Sequence, residues 1–594
     1  MNLIPSSIAL TNLFGLVCRL ISCDNQYQSP VIQDSRMTNG FGNRSAGTFK
    51  AYGENGIPNQ QGSITNPNVR TRAGEVVGYS MIVLRGKSIC AFEGIPYALS
   101  PEKELRFKAP VLNKPWTGIL KANNPGSPCI QLHYGRLRGS EDCLRLNVYS
   151  PSVNSTKRSP VIIYIHGGFW LSGSGAHYGP AYLVEHDVVL VTFNYRLGSL
   201  GYFSTGDDVA SGNWGLKDQA AVIDWVYDNI ANFGGDPERI TLAGNSAGAV
   251  STHLLMISNY HLTTKKLKGA ISMSGSAYNV WGLNSLETSK KVSSAFANVS
   301  GCPAVGDSQA VVNCLRKVNA NILVANQLLI FQTGFFLPSI EPHVPGAIVT
   351  LSPDQAYASG KVAPIPWIAT MTSRELNLPI PALQANVVAS VLRVAFSSDL
   401  SNLLSFRRAG VNETEVRKKI LEFYTGGDSP NDLSRDKLSQ IATDRYFTVS
   451  IRRAIQMHSQ VAPTYASIFN YTSNLGRAGR RGLSPTEFGP LHGDDLVYFL
   501  NSTVNHPPIR RTDSHFAIAK LLVNLYGNFA MYGEPLFTSE DKKNYRIWDK
   551  IDNQENLRFL RIDEEVKVID DPYKETSKFW ESLAIPDTTS YIRL

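Results

Sequence analysis

The chain has 594 residues, of which 43% are hydrophobic and 18% are charged, and this composition excludes a disordered, collagen-like or coiled-coil protein as a whole. The net charge of +8 is mild, and the basic residues form only short clusters, so we expect no nucleic-acid partner. After the N-terminus the sequence contains no run of about 20 uncharged apolar residues, and it therefore predicts no membrane span.

The N-terminal segment predicts export of the protein. Residues 1–23 form a short, apolar segment that resembles the core of a signal peptide. Two features depart from that pattern: Arg19 interrupts the apolar run, and no Lys or Arg precedes the run. Residues 24–70 are polar, rich in Gly, Asn, Gln and Pro, and show no periodicity. We interpret them as a disordered leader, followed by one large folded domain over residues 71–594.

Four apolar, β-branched runs predict buried strands, at 160–165, 188–193, 240–243 and 270–273. Nearly continuous apolar strands indicate burial on both faces of a sheet. A helix is predicted to begin near Trp214, between the second and third runs. Because strands and helices alternate along the chain, we predict an α/β fold with a large, mostly parallel sheet and helices on both faces.

The strongest local motif is Gly-Asn-Ser-Ala-Gly at 244–248, which follows the predicted strand 240–243 and precedes a helix-compatible run. Such a turn holds its serine in a strained conformation and needs very small neighbours. It predicts Ser246 as a nucleophile, and the alternative is a glycine-rich turn with a solvent-exposed serine. His-Gly-Gly-Phe-Trp at 166–170 ends another strand and is expected to supply further backbone N–H donors to an oxyanion.

Longer segments match a known family together with these motifs, and they lie at 92–98, 140–149, 194–198, 212–219 and 225–248. With them the sequence resembles the type-B carboxylesterases, a branch of the α/β-hydrolases that includes cholinesterases, insect esterases and the non-catalytic neuroligins. The resemblance covers roughly residues 75 to 585. It implies an α/β-hydrolase fold and an ester hydrolase that uses neither a metal nor another cofactor.

The resemblance also implies a base for the serine. In this fold the catalytic residues follow the order Ser, Asp or Glu, His along the chain, but with 11 histidines the order alone does not choose one. The family pattern matches residues 489–495 and selects His492. His458 and His506 lack that context and are the poorer candidates.

The acid implied by the resemblance is Glu375, at the end of a segment that matches a family strand. The glycine that usually follows the acid is Leu376 here. The alternative is a surface glutamate paired with Arg374. Asp494 and Asp495 follow the histidine too closely to be the expected acid.

By analogy with the family, the oxyanion donors are the backbone N–H groups of Gly168, Phe169 and Ala247. Phe169 stands where relatives carry a third glycine, so its side chain restricts φ and adds bulk near the acyl group. Losing one donor would cost about 2.7–4 kcal/mol of transition-state stabilisation, which would slow turnover without abolishing it. Asn245 replaces the glutamate of many relatives and argues against choline esters.

Seven cysteines are present, with no Cys-x-x-Cys pair and no zinc-ligand spacing, so we expect no metal site. The resemblance implies two disulfides, Cys129–Cys143 and Cys302–Cys314, each stabilising the fold by roughly 3 kcal/mol. The loop closed by the first pair lacks the tryptophan of cholinesterases. Cys18 and Cys23 lie in the predicted signal peptide, so Cys90 is the spare cysteine of the remaining five and is expected to be buried and inert.

We predict a secreted serine carboxylesterase that hydrolyses small, neutral, apolar esters through an acyl-enzyme. The alternatives are a neuroligin-like adhesion protein with weak or no catalysis and a cholinesterase. Aromatic residues within 331–341 match the family's acyl pocket, with core packing as the other interpretation. The glycosylation candidates are one asparagine in the leader, Asn43, and five others: Asn154, Asn298, Asn412, Asn470 and Asn501.

Overall fold

The computed structural model describes residues 66–586, except for residues 85, 134, 155, 378–389, 391, 407–409, 428 and 503–507 and the side chains of 262 and 263. The predicted signal peptide, almost all of the predicted leader, Asn43 and His506 lie outside the described residues.

The strands, in chain order, are β1 (Asn68–Arg70), β2 (Glu75–Val77), β3 (Tyr79–Ile82), β4 (Ser88–Pro96), β5 (Ile119–Lys121), β6 (Gln131–His133), β7 (Arg136–Arg138), β8 (Arg145–Ser150), β9 (Ser159–Ile165), β10 (Tyr178–Gly179), β11 (Val189–Phe193), β12 (Gly235–Asn245), β13 (Leu267–Met273), β14 (Trp367–Thr372), β15 (Thr464–Phe469), β16 (Asn501–Ser502), β17 (Phe537–Thr538), β18 (Asn544–Tyr545), β19 (Arg558–Ile562) and β20 (Lys567–Asp570).

The α-helices are α1 (Gly198–Tyr202), α2 (Trp214–Asn229), α3 (Ala247–Met256), α4 (Asn259–Thr264), α5 (Leu286–Val299), α6 (Ser308–Lys317), α7 (Ala320–Asn326), α8 (Pro353–Ala358), α9 (Leu400–Leu403), α10 (Glu413–Thr425), α11 (Arg435–Thr443), α12 (Val449–Ser459), α13 (Arg477–Arg480), α14 (Pro485–Phe488), α15 (Leu496–Phe499), α16 (Phe516–Tyr532) and α17 (Lys574–Ser582). A further helical stretch covers 392–398, and Asp444–Thr448 forms a π-helical turn between α11 and α12.

Eleven of the described strands form one sheet in the order β20-β19-β15-β14-β13-β12-β9-β11-β8-β4-β3. The strands from β19 to β11 run parallel, and antiparallel strands lie at both edges. The chain places β11 on one side of β9 and then crosses to β12 on the other side. In open α/β sheets, a crevice forms at the carboxyl ends of the strands where the strand order reverses in this way, and ligands bind there.

Hydrophobic residues cover both faces of the sheet, as the sequence predicts. Along β9, Val161 and Ile163 belong to one buried cluster and Ile162 to the other. Helices α2 and α3 pack on the first face, and α16 packs on the second. The four predicted strands correspond to β9, β11, β12 and β13, with one predicted residue, Val188, lying just before β11, so the predicted α/β-hydrolase architecture is confirmed.

Strand β1 lies inside the segment predicted as a leader. Val69 is 6% exposed and pairs with Val76 of β2. The predicted leader boundary at residue 70 is therefore wrong by at least these three residues. A three-residue strand with a single inward side chain offers too little periodicity to be recognised in the sequence.

Both predicted disulfides, Cys129–Cys143 and Cys302–Cys314, are present. Cys90 is unpaired and half-buried rather than buried, because β4 lies next to the edge strand β3. Partial burial raises the pKa of the Cys90 thiol and so disfavours the reactive thiolate. Among the described residues, no helix is long and apolar enough to cross a membrane, and no group of three or more His, Cys, Asp or Glu could hold a metal ion.

Candidate active site

Ser246 occupies the sharp turn between β12 and α3. Its φ of 58° and ψ of −124° lie in a region that residues with a side chain rarely adopt. A Cβ on Gly244 would lie 2.3 Å from the carbonyl oxygen of Gly248, and a Cβ on Gly248 would lie 2.1 Å from that of Ile165. Only glycine fits at these two positions, which explains the spacing of the motif.

Backbone hydrogen bonds hold the turn in place. The N–H of Ser246 donates to the carbonyl of Met273 on β13 at 2.8 Å, and the N–H of Val250 donates to the carbonyl of Ser246 at 3.0 Å. The serine is 4% exposed, and Ala247, the first residue of α3, is completely buried. The turn is thus fixed by both the neighbouring strand and the following helix.

Glu375 and His492, which are 117 residues apart, form a direct hydrogen bond. The ring nitrogen Nδ1 of His492 lies 2.6 Å from Oε2 of Glu375, and its backbone N–H donates to the Glu375 carbonyl at 3.2 Å. The second carboxylate oxygen, Oε1, accepts the N–H of Thr372 at 2.8 Å. The ring is therefore oriented with Nε2 available, and within the described residues Nε2 is buried without a hydrogen-bond partner.

This arrangement replaces the alternative of a surface glutamate paired with Arg374. Glu375 is 2% exposed, and the guanidinium of Arg374 instead donates to the carbonyl of Glu487 at 3.0 Å. Glu375 lies just beyond the carboxyl end of β14. Strand β14 pairs with β13, whose last residue, Met273, accepts the N–H of Ser246. The structure thus brings the carboxylate of Glu375 and the ring of His492 into direct contact, and their roles as acid and base remain a prediction.

The loop after β9 passes directly beside the serine. A Cβ on Gly167 would lie 3.0 Å from Cβ of Ser246, and Gly168 has a φ of 109°. Phe169 and Trp170 follow with φ values of 57° and 54°. A residue with a side chain in this left-handed region costs about 1–3 kcal/mol, and the surrounding structure has to offset that cost.

The contacts that hold this loop escaped the sequence analysis. The indole N–H of Trp170 donates to Oγ of Ser251 on α3 at 2.9 Å, and its carbonyl accepts the N–H of Gly198 at 2.7 Å. The ring of His166 stacks on Tyr195 with centroids 4.4 Å apart. Burial lowers the pKa of His166 to about 3, so this histidine is neutral and can donate Nδ1–H to the carbonyl of Gly167 at 2.8 Å.

Phe447 is a further neighbour of the candidate base. Its ring centroid lies 4.9 Å from that of His492 and 5.5 Å from that of Trp281. The residue belongs to the π-helical turn between α11 and α12, and such turns are frequent at functional sites. No periodicity in the sequence marks a π-turn, so this contact could not be predicted.

His458, one of the poorer candidate bases, has a structural role. Its Nε2 lies 2.9 Å from the carbonyl oxygen of Ile365, and its Nδ1 lies 3.1 Å from the hydroxyl of Tyr357. Burial lowers the pKa of His458 to about 4, so the ring is neutral. Both ring nitrogens are occupied within the core.

The two aspartates that follow His492 do not contact its ring. Asp494 accepts the backbone N–H groups of Leu491 and Arg477 at 2.9 and 2.8 Å and so shapes the histidine loop. Asp495 is 2% exposed. Burial, followed by the negative charges of Glu375 and Asp494, raises the pKa of Asp495 to about 7.

Two aromatic residues of the predicted acyl-pocket segment, Phe335 and Phe336, pack against different parts of the protein. The ring of Phe335 meets that of Phe169 edge-on, with centroids 5.4 Å apart. Phe336 packs instead on Phe296, with centroids 5.0 Å apart. Phe335 therefore faces the loop beside Ser246, whereas Phe336 belongs to the core.

Comparison with known proteins places these features in context. The model of the Carboxylesterase family matches residues 65–580. Juvenile hormone esterase of Tribolium castaneum is 33% identical over 505 residues, which cover 79% of this chain and 84% of the relative. Esterase E4 of Myzus persicae is 32% identical over 528 residues, which cover 84% of this chain and 91% of the relative. The crystal structure of juvenile hormone esterase from Manduca sexta with OTFP covalently attached superposes with a TM-score of 0.75 at 26% identity, covering 88% of this chain and all of that chain.

Proposed function

The chain belongs to the carboxylesterase family and is a carboxylic ester hydrolase, and from this premise we propose that it is a secreted serine esterase that cleaves neutral, apolar esters through an acyl-enzyme. The observation that carries the proposal is the hydrogen bond of 2.6 Å between Glu375 and His492, together with the strained turn that presents Ser246. These are the parts that a nucleophile, its base and an orienting acid require.

In the proposed mechanism the hydroxyl of Ser246 attacks the ester carbonyl and passes its proton to Nε2 of His492. Glu375 accepts Nδ1–H and stabilises the imidazolium that forms. Backbone N–H groups of Gly168, Phe169 and Ala247 stabilise the oxyanion. The imidazolium then protonates the departing alcohol, and water, activated by the same histidine, releases the acid from the acyl-enzyme.

Three observations support a neutral, apolar substrate. Asn245 puts an uncharged amide next to the nucleophile, and the loop from 130 to 142 contains no tryptophan to bind a quaternary ammonium group. Aromatic rings surround the loop beside Ser246. Because two of the relatives are named juvenile hormone esterases, that hormone belongs in a substrate panel with aliphatic and aryl esters.

The adhesion alternative is not favoured. The relatives are named as esterases. The resemblance of the sequence to the family also implies a catalytic serine, histidine and glutamate at Ser246, His492 and Glu375. Secretion remains part of the proposal and is supported by the two disulfides, which persist in oxidising compartments.

Labelling with diisopropyl fluorophosphate tests the proposed nucleophile. We expect one equivalent of phosphoryl group on the peptide that contains Ser246, because only an activated serine reacts rapidly with this reagent. The measurement is mass spectrometry of the digested protein, with Ser246→Ala as the unlabelled control. A folded protein that neither takes up the label nor hydrolyses a p-nitrophenyl ester would contradict the proposal.

Glycan mapping tests the proposed export. The asparagines with exposed side chains are Asn154, Asn298 and Asn412. Two other candidates are half-buried: Nδ2 of Asn470 donates to Asp563 at 2.6 Å, and Oδ1 of Asn501 accepts the N–H of Ala181 at 2.7 Å. We therefore expect glycans on the three exposed asparagines of protein collected from the medium of a eukaryotic cell line.

Glycosidase treatment in ¹⁸O-water followed by mass spectrometry locates each occupied site. A glycan on Asn470 would contradict the prediction that only the exposed asparagines are glycosylated, because its amide nitrogen already donates a hydrogen bond to Asp563. Full-length protein that stays inside the cells without any glycan would contradict export.

A further inference from the structure

Phe169 joins the loop beside Ser246 to a row of aromatic rings. Its own ring is almost completely buried, and its centroid lies 5.4 Å from that of Phe335 and 5.8 Å from that of Trp281. Phe335 in turn meets Phe331 edge-on, with centroids 4.9 Å apart. The row therefore extends from the oxyanion loop into the segment 331–335.

The same row reaches the candidate base at its other end. Trp281 packs on Phe447 with centroids 5.5 Å apart, and Phe447 packs on His492 at 4.9 Å. The rings thus connect the loop after β9 with the histidine through a continuous series of contacts. Within that row, Phe169 is the ring whose own backbone N–H is a proposed oxyanion donor.

Because Phe169 is both a proposed oxyanion donor and a member of the aromatic row, it can restrict the acyl groups that the site accepts. In an acyl transfer the carbonyl oxygen points at the donor N–H groups while the carbonyl carbon bonds to the serine oxygen. The neighbouring carbon of the acyl group is then close to the donor residue. A glycine would have no side chain there, whereas in this chain the donor residue carries the ring of Phe169, which is held by contacts with Phe335 and Trp281.

We propose that Phe169 determines the acyl specificity of the enzyme and selects esters of acids that are unbranched at the carbon next to the carbonyl. A branch at this carbon would collide with the ring, which the neighbouring aromatic side chains prevent from moving aside. Phe169 has a left-handed φ of 57°, and with this backbone conformation its ring packs against Phe335 and Trp281. This inference rests on the proposed serine esterase mechanism.

The test compares p-nitrophenyl butyrate with p-nitrophenyl isobutyrate, which have the same leaving group and the same number of carbons. For the wild type we expect kcat/KM to be about 100-fold higher for butyrate. Phe169→Ala and Phe169→Gly both remove the ring, and each is expected to reduce this ratio at least tenfold. Alanine keeps the backbone restriction at this position and glycine releases it, so the pair separates ring volume from backbone freedom.

Phe336→Ala is the matched control, because that ring packs on Phe296 in the core, and we expect it to leave the ratio unchanged. If the Phe169 variants fail to fold, Phe335→Ala decides the question: it frees one side of the Phe169 ring and should lower the ratio. An unchanged ratio in the folded variants, or a ratio that falls with glycine but not with alanine, would overturn the proposal. A wild-type protein that hydrolyses no p-nitrophenyl ester at all would instead contradict the esterase mechanism itself.

Discussion

Replacing Ser246 with alanine is expected to lower kcat for p-nitrophenyl acetate by about 10⁶-fold, to the level supported by binding and the oxyanion donors alone. Without the hydroxyl no acyl-enzyme forms, so the burst of p-nitrophenol should also disappear. The other four residues of the motif at 244–248 are unchanged, and the hydrogen bonds that hold the turn join backbone atoms only. The variant should therefore fold as the wild type does. Stopped-flow absorbance with thermal unfolding of both proteins measures the two effects.

Ser274→Ala is the matched control for this experiment. Ser274 is completely buried, whereas Ser246 is 4% exposed, and both serines have a left-handed φ, which is 59° at Ser274. The hydroxyl of Ser274 has no hydrogen-bond partner in the described part of the chain. We expect its kcat to stay within about threefold of the wild-type value. If Ser246→Ala kept more than about one hundredth of the wild-type activity, another residue would have to be the nucleophile.

Replacing Glu375 with glutamine is expected to lower kcat/KM by about 10⁴-fold. Both carboxylate oxygens accept hydrogen bonds, one from His492 and one from the N–H of Thr372. A glutamine offers only one oxygen, and if that oxygen meets Thr372, its NH₂ group faces Nδ1 of the histidine. Nδ1 must then act as an acceptor, so Nε2 carries the proton and cannot take one from Ser246.

Steady-state kinetics with p-nitrophenyl acetate measures this loss, and Glu93→Gln provides the comparison. Glu93 accepts hydrogen bonds from the hydroxyls of Tyr79 and Tyr149 at 2.9 and 2.7 Å, on a strand near the edge of the sheet and away from β12. Its variant should keep wild-type kinetics. A Glu375→Gln enzyme with near-normal activity, combined with an inactive Asp495→Asn enzyme, would assign the acid to the neighbouring aspartate instead.

The parts of the site that the sequence predicted are those that depend on local geometry. The strand-to-helix turn at Ser246 demands small residues within two positions of the serine, and this demand leaves a recognisable motif. Glu375 and His492 were reached only through the resemblance to a family, since a glutamate and a histidine have no local signature of their role.

The remaining features depend on tertiary packing between distant segments. The hydrogen bond from Trp170 to Ser251 spans 81 residues, and the approach of Phe447 to His492 depends on a π-helical turn. Intrinsic preference argues against a left-handed phenylalanine at 169, and the neighbouring rings override that preference. Short strands such as β1 were missed for a related reason, because each contributes only one inward side chain.

The order of the central strands has a consequence for biosynthesis. Ser246 follows β12, Glu375 follows β14 and His492 follows β15, so the three residues leave the ribosome far apart in time. A nascent chain that ends before His492 contains the proposed nucleophile but not the proposed base, and on the proposed mechanism it cannot cleave an ester. We therefore expect hydrolytic activity to appear only after residue 492 has been translated, and we expect a premature stop codon anywhere before this residue to yield an inert product.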